Sequence, residues 1–200
     1  MKKINPKILI VTIVGVIALL GIGGYFVLNN NSDKDDAPVT TLNANTSKTT
    51  TETKDTPSLA GKSTEEQLLY LIEEEKLAHD VYTVMYQKYG ANVFGNILQS
   101  ESTHQGKVLS LLQTRNITDP RSSEIGVFKN QDLQALYNQL TAQGNKNATE
   151  AYKVGVAIEE KDIADISTQL STAKDDDVIA TLESLRSGSE NHLRAFNRQL

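Results

Sequence analysis

A glutamate and a histidine three residues apart, Glu101 and His104, interrupt an otherwise apolar helical pattern. The residues that share their helix face are Phe94, Ile97, Val108 and Leu111. An unpaired carboxylate in a core costs several kcal/mol, so some partner must compensate Glu101. A metal ion bound by both side chains would do so, because iron and manganese sites use carboxylate and imidazole ligands. The alternatives are an internal Glu–His pair and a helix face turned toward solvent.

Glu75 has a similar position, in the middle of an earlier apolar and aromatic stripe. Its companions at helical spacing are Leu68, Ile72, His79, Tyr82, Tyr86 and Tyr89. This placement predicts a second ligand, whereas the alternative interprets the run Glu73–Glu75 as a solvated face. His79 follows one turn later, where it could bind the metal or hydrogen-bond a ligating carboxylate. The tyrosines are expected to pack the core, with a redox relay through Tyr82 as the less favoured role.

Two adjacent glutamates, Glu159 and Glu160, are candidates for a third carboxylate. The stripe that contains the first of them is Tyr152, Val156, Glu159, Ile163, Ile166 and Leu170. Neighbouring residues on a helix point about 100° apart, so an uncertain helix boundary can exchange their roles. Glu159 fits better among the apolar residues, and Glu160 is the second choice.

His192 is the last candidate ligand, on a stripe near the carboxyl end of the chain. That stripe is Val178, Leu182, Leu185, Ser189, His192, Phe196 and Leu200. Ser189 stands where a Glu-x-x-His pair would have its carboxylate, so the pattern predicts an unsymmetrical or mononuclear site. The alternative role for His192 is a core histidine hydrogen-bonded to a carboxylate or to the backbone.

Four long helices must position these residues. The first begins at a capping box formed by Ser63 and Glu66, and Gly90 is well placed to end it. The second spans about Asn92–Thr114. Because only a short turn separates these two helices, they are expected to pack as an antiparallel hairpin.

A long connection over residues 115–147 follows, with a short helix near Gln131–Ala142. The third long helix starts near Thr149, and the fourth follows the segment Lys174–Asp177, whose three acids suit a helix amino terminus. The order hairpin, crossover, hairpin is typical of ferritin-like bundles. The sequence therefore predicts an all-α, ferritin-like four-helix bundle over residues 63–200.

The candidate ligands match the way di-iron carboxylate bundles bind metal. In those bundles two helices give one Glu each, and the other two give Glu-x-x-His, all pointing inward. The candidates in this chain are Glu75, Glu101, His104, Glu159, Glu160, His192 and His79. We expect one or two iron or manganese ions in the bundle core.

The amino-terminal third has a different composition. Residues 8–28 are uncharged and mostly apolar, behind a short lysine-rich start. We expect residues 1–28 to form a single-pass membrane anchor with a cytoplasmic amino terminus, so that the rest lies outside the cytoplasm. A cleaved secretory signal is the alternative. Residues 29–62 are polar with few large apolar side chains and predict a disordered linker.

Composition excludes several classes of function. The chain has no Cys, so disulfides and thiolate metal sites are excluded. Its net charge is −5 and no basic stripe stands out, so nucleic acid is not an expected partner. The expected partners are the membrane, through the amino-terminal helix, and a metal ion. The sequence leaves open whether copies of the chain form a homo-oligomer.

Five segments in this order resemble an uncharacterised prokaryotic domain-of-unknown-function family of the ferritin-like superfamily: EEEKLAHDVY, ILQSESTH, GVF…LQALY, AIEEKDIADI and SENHLRAF. The resemblance spans about Glu65–Leu200. Residues 75–82 are also similar to the E-x-x-A-R-x-x-Y motif of rubrerythrin-type proteins, whose ligand then falls on Glu75. The chain departs from di-iron members of the superfamily at Ser189, and it has His79 where rubrerythrin-like proteins carry Arg. The resemblance implies a metal centre that handles oxygen, peroxide or iron.

Two functions from different classes stay open. The first is a membrane-tethered extracytoplasmic metal protein, a di-iron-type oxidoreductase that oxidises Fe(II) or reduces peroxide. The second is a non-catalytic binding or structural module at the cell surface, whose polar core holds no metal. Convergence of the candidate side chains on one coordination sphere favours the first, and carboxylates scattered along the bundle would exclude it.

Overall fold

Five α-helices make up the computed structural model, which describes Leu59 and residues 61–200. They are α1 (Thr64–Tyr89), α2 (Asn92–Thr114), α3 (Gln131–Gly144), α4 (Ala148–Leu170) and α5 (Asp176–Asn197). The described residues contain no β-strand, which confirms the all-α prediction. The predicted membrane anchor and nearly all of the predicted linker lie outside the described residues. Among the helices that are described, none has the length and apolar character needed to span a membrane.

Local capping accounts for the ends of the first helix. The Ser63 N–H donates to the Glu66 carboxylate at 2.9 Å, and the Glu66 N–H donates to Ser63 Oγ at 3.3 Å, which confirms the predicted capping box. Gly90 ends α1 at a φ of 63°, a left-handed conformation that glycine adopts without steric penalty. Since only Gly90 and Ala91 separate α1 from α2, these helices form an antiparallel hairpin.

The interior of the bundle consists of a polar layer between two apolar clusters. The aromatic cluster includes Leu77, Val81, Tyr82, Met85, Phe94, Ile97, Val154, Ile158 and Phe196. The leucine cluster includes Leu68, Leu71, Ile72, Val108, Leu111, Leu112, Ile166, Val178, Leu182 and Leu185. On each of the four long helices, buried carboxylates or histidines lie between residues of the two clusters. The polar layer is therefore shielded from water on both sides.

The order of the two clusters along a helix gives the direction of that helix. The helices α1 and α5 run from the leucine cluster to the aromatic cluster, whereas α2 and α4 run the opposite way. Because α2 and α4 point in the same direction, the connection over residues 115–147 must return along the length of the bundle. The chain thus forms two hairpins joined by a crossover that contains α3.

The buried face of α4 differs from the predicted stripe. The residues that are buried are Ala151, Val154, Gly155, Ile158, Glu159, Asp162, Ile166 and Gln169. The residues that were predicted to be buried but are partly exposed are Tyr152, Val156, Ile163 and Leu170. A Cβ at Gly155 would lie 2.6 Å from the Phe196 ring, so α5 packs directly on this glycine. A stripe predicted from large apolar residues does not include a glycine, so it misses this contact between Gly155 and Phe196.

The helix α1 is buried on all sides over residues 71–78, where one buried face was predicted. The crossover covers its other side: the N–H groups of Lys129 and Asn130 donate to the Glu73 carboxylate at 2.6 and 2.9 Å. All three members of the run Glu73–Glu75 are therefore buried, and its interpretation as a solvated face is wrong.

Smaller differences between predicted and observed burial occur near the ends of the described helices. Tyr86 is 41% exposed and Leu200 is 58% exposed, so their predicted places in the core are wrong. Tyr86 lies in the last turn of α1, and Leu200 lies beyond the end of α5. Leu59, inside the predicted linker, is buried, and its carbonyl accepts a hydrogen bond from Gln67 Nε2 at 3.3 Å.

Candidate metal centre

Five of the predicted ligands converge in the polar layer. Glu75 comes from α1, Glu101 and His104 from α2, Glu159 from α4, and His192 from α5; each is at most 7% exposed. They form two triads whose potential ligand atoms lie within 4.8 Å of one another, Glu75–Glu101–His104 and Glu101–Glu159–His192. Because Glu101 belongs to both triads, the arrangement suits two ions that share one carboxylate.

The distances within each triad resemble those between ligands of a single ion. His104 Nδ1 lies 3.2 Å from Glu75 Oε2 and 3.6 Å from Glu101 Oε2. His192 Nδ1 lies 2.9 Å from Glu101 Oε1 and 3.5 Å from Glu159 Oε2. Two ligand atoms bound about 2.1 Å from one ion, at octahedral or tetrahedral angles, are about 3.0 to 3.4 Å apart.

The hydrogen bonding of the layer is incomplete. In the described part of the chain, six buried side-chain polar atoms have no hydrogen-bond partner, and four of them belong to this layer. These four atoms are Glu75 Oε1, Glu101 Oε1, Asp162 Oδ1 and His192 Nδ1. The Glu101 and His192 atoms are 2.9 Å apart but lack the angles of a hydrogen bond. Since proteins pair most buried polar atoms, this pattern fits side chains that share a cation.

Glu101 is the best-compensated carboxylate of the layer. Burial alone would raise its pKa, but the neighbouring imidazoles of His104 and His192 lower the pKa to about 2. Burial would lower the pKa of each histidine. Glu101 and Glu75 instead raise the pKa of His104 to about 10, while Glu101 and Glu159 raise that of His192 to about 9. In the absence of metal, both imidazoles are therefore protonated at neutral pH.

The other carboxylates are less well compensated. Burial raises the pKa of Glu75 and of Asp162 well above the usual range. Burial also raises the pKa of Glu159 to about 7, although Tyr82 donates to Glu159 Oε1 at 2.6 Å. If all four carboxylates were ionised, the two imidazolium ions would leave an excess of negative charge, so in the metal-free layer the raised pKa values keep protons on some of the carboxylates. Two divalent ions bound by neutral imidazoles would balance the four carboxylates.

Asp162 is the member of the layer that the sequence pattern did not single out. It lies one turn after Glu159, is 6% exposed, and accepts a hydrogen bond from Ser189 Oγ at 2.5 Å. The spacing of three residues from Glu159 was the available signal. The predicted stripe instead placed Ile163 in the core, because nothing in the pattern marked Gly155 as a packing surface.

Two predicted ligands lie outside the layer. Glu160 is exposed while its neighbour Glu159 is buried, so the second choice is wrong. The predicted inner position of His79 is also wrong, since its side chain is 31% exposed and its Nδ1 lies 3.6 Å from Asp80 Oδ1. Four residues after Glu75, His79 is rotated about 40° around the helix. This rotation brings it to a surface groove between α1, α2 and the crossover.

A glycine on α5 makes room for one of the two histidines. A Cβ at Gly188 would overlap Nε2 of His104, so that nitrogen packs against the α5 backbone while Nδ1 faces the carboxylates. Glycine within a helix costs about 1 kcal/mol relative to alanine. The close approach of His104 gives a physical reason for a glycine at this position.

Comparisons with known proteins identify relatives of the helical domain. A family model described as an uncharacterized protein domain (DUF2202) matches residues 64–200. The uncharacterized protein MJ0754 of Methanocaldococcus jannaschii is 43% identical over 136 residues, which cover 68% of this chain and 74% of that protein. The crystal structure of hypothetical protein MJ0754 from Methanococcus jannaschii DSM 2661 aligns with a TM-score of 0.67, covering 68% of this chain and 78% of that one.

Proposed function

The chain belongs to the DUF2202 family of uncharacterized protein domains, and from this premise we propose that its helical domain is a ferritin-like bundle that binds two iron or manganese ions. The observation that carries the proposal is the pair of buried triads that share Glu101. The unpartnered ligand atoms of the layer support it independently.

The donor set favours particular metals. Glu75 and His104 would hold one ion, Glu159 and His192 the other, and Glu101 both. A set of carboxylates and imidazoles without thiolates suits iron or manganese. Iron or manganese at such a site would exchange electrons with oxygen or peroxide. We therefore propose oxidation of Fe(II) with oxygen or peroxide as the electron acceptor, or reduction of peroxide by electrons from Fe(II).

The residues of the layer would hold protons and exclude water. Imidazole binds metal only in its neutral form, so His104 and His192 must release protons when ions bind. Tyr82, fully buried, holds Glu159 in place through its hydroxyl. The aromatic and leucine clusters flank the layer, so the site favours small reactants over bulky organic substrates.

We further propose that residues 1–28 anchor this domain to the membrane, with the domain outside the cytoplasm. The support for this location is the uncharged apolar run at residues 8–28 and the lysines before it. Added protease would then digest the domain in intact spheroplasts. Protection until the cells are lysed would contradict the proposal, and release into the medium would favour a cleaved signal.

A metal-free structural module is the second candidate. It is favoured by the protonated state of His104 and His192, because two imidazolium ions beside Glu101 compensate part of the buried charge without any metal. On this account the polar layer keeps the four long helices in register.

Metal content distinguishes the two candidates. The full chain would be purified without chelators, exposed to Fe(II) or Mn(II) without oxygen, and analysed for its elements. We expect two ions per chain, one for each triad, and their loss in Glu101→Gln. Glu160→Gln is the matched control, since this exposed neighbour of the layer should not affect metal content. A chain that takes up neither metal would favour the structural module.

A further inference from the structure

The two hairpins contribute unequal ligands to the layer. Glu75 on α1 has its counterpart in Glu159 on α4, since each is the lone glutamate of its helix in a triad. The pair Glu101–His104 on α2 has its counterpart in Ser189–His192 on α5, with the same spacing but a hydroxyl in place of the carboxylate. The second hairpin is therefore one carboxylate short at α5.

Asp162 lies where it can replace the carboxylate that α5 does not supply. It is three residues after Glu159 and accepts its hydrogen bond from Ser189 itself, at 2.5 Å. On α1 the residue three after Glu75 is Ala78, so the first hairpin has no equivalent acid. Compared with its counterpart in the first hairpin, α4 thus has one carboxylate more and α5 has one carboxylate fewer.

The surroundings of Asp162 indicate that it belongs to the polar layer with the proposed ligands. Its side chain is buried, and its Oδ1 has no hydrogen-bond partner. Asp162 lies one turn after Glu159 on the buried face of α4, and its partner Ser189 lies one turn before His192 on the buried face of α5. The described structure shows no cation beside Asp162, whereas the nearby buried Glu74 pairs with Lys161 at 2.8 Å.

We propose that Asp162 is the fourth carboxylate of the metal centre, supplied from α4 through the Ser189 hydroxyl in place of a ligand on α5. This inference rests on the proposed metal-binding function. Asp162 is outside both triads in the metal-free arrangement. Its unpartnered Oδ1 would serve as the ligand atom, while the Ser189 hydroxyl keeps its hydrogen bond to Oδ2. The full donor set is then four carboxylates and two histidines, as in symmetrical di-iron bundles.

The test compares Mn(II) binding to the full chain and its variants by calorimetric titration. Asp162→Asn keeps the shape of the side chain and its partner Ser189, so the fold should persist. We expect it to weaken the binding of one of the two ions by about 10- to 100-fold, a loss typical of altered metal surroundings. Asp165→Asn is the matched control on the same helix, because Asp165 pairs with Lys161 outside the layer.

A composition-preserving exchange sharpens the test. The double variant Asp162→Ser with Ser189→Asp moves the carboxylate to the position that α5 would have in a symmetrical bundle. We expect it to bind both ions within about threefold of the original affinity, whereas Asp162→Ser alone does not. The melting temperature of each metal-free variant checks that it folds.

The outcomes separate this inference from the proposed function. If the unaltered chain binds two ions and Asp162→Asn binds them equally well, Asp162 is not part of the centre and only this inference fails. Equal losses in Asp162→Asn and Asp165→Asn would also overturn it, because the effect would then be one of general charge. If the unaltered chain binds no Mn(II), the proposed metal centre itself fails.

Discussion

Two groups of charged side chains include residues of α1, and their charges are compensated in different ways. The flanking network, which we define as Glu73, Glu74, Lys76, Asp80 and Lys161, pairs its carboxylates with cations or N–H groups. Glu74 lies 2.8 Å from Lys161, Asp80 pairs with Lys76, and the Gly126 N–H donates to Asp80 at 2.9 Å. Each carboxylate of this network therefore has a cation or an N–H group beside it, while burial still raises the pKa of Glu74, whose Oε2 has no hydrogen-bond partner.

The polar layer on the inner face of the bundle is not compensated in this way. Its four carboxylates have only His104 and His192 as cationic partners, and without metal the raised pKa values of its other acids offset this shortage with retained protons. Several of its ligand atoms have no hydrogen-bond partner. The comparison shows that burial of acids does not by itself indicate a metal site. The informative feature is a buried acidic layer without enough cations of its own.

The largest expected effect is on metal affinity. Glu101→Gln removes the carboxylate that both triads share, so we expect affinity for Mn(II) to fall by more than about 100-fold. Glu74→Gln removes an equally buried carboxylate from the flanking network and should leave affinity unchanged. Calorimetric titration measures both. Similar losses in the two variants would show that the distinction between the two groups is false.

A change in the flanking network should instead affect folding stability. Lys161→Met leaves Glu74 buried without its cation, and we expect the free energy of unfolding to fall by about 3 kcal/mol. Metal affinity should not change. The matched control is Lys153→Met, because Lys153 pairs with Glu150 at the surface, where an ion pair contributes about 0 to 1 kcal/mol. Urea denaturation measures each change, and equal effects would contradict the structural role of the network.

The pH dependence of stability should differ with and without metal. Folding raises the pKa of Glu159 to about 7, and also raises those of Glu75, Asp162 and the two imidazoles. The folded chain then keeps protons that the unfolded chain releases above about pH 4.5, so stability falls as pH rises toward 9 or 10. Glu101, with its pKa lowered to about 2, loses its contribution only as pH falls below about 4.5.

We therefore expect the metal-free chain to be most stable near pH 5. Bound ions replace the protons, so the rise in melting temperature on Mn(II) loading should grow from pH 5 to pH 8. Thermal melts over this range measure both trends. A rise that is independent of pH would indicate that the ions bind outside the layer.

The smallest expected effect concerns Gly188. Gly188→Ala adds a Cβ that overlaps His104 Nε2, so the ring must shift and its Nδ1 moves away from Glu75. We expect about tenfold weaker binding of one ion, consistent with loss of ligand positioning. Gly106→Ala, on α2 with open space around its Cα, is the control and should not change affinity. Equal affinities in both variants would mean that His104 is not a ligand.

Much of the fold could be predicted from the sequence because its helices have clear ends and stripes. The α2 stripe centred on Glu101 and His104 is buried as predicted, and the bounds of α2 match. Glu75 was distinguished from its neighbours by its place between Ile72 and Tyr82. The spacing of residues along a helix was sufficient to predict which of them are buried wherever the helix buries a single face.

The errors arose where tertiary contacts override that spacing. The crossover covers Glu73, and Lys161 on α4 pairs with Glu74, so both are buried although no pattern within α1 predicts it. Phe196 packs on Gly155 and sets the buried face of α4, which brings Asp162 into the layer. These contacts join residues far apart in the sequence, and a single sequence does not record them.

The most direct test of the central claim is to locate the ions. Crystals of the chain soaked in Mn(II) without chelators would be measured at an energy where manganese scatters anomalously. We predict two anomalous peaks, one in each triad, on either side of the Glu101 carboxylate. A polar layer without peaks, or peaks only at surface acids such as Asp175–Asp177, would contradict it.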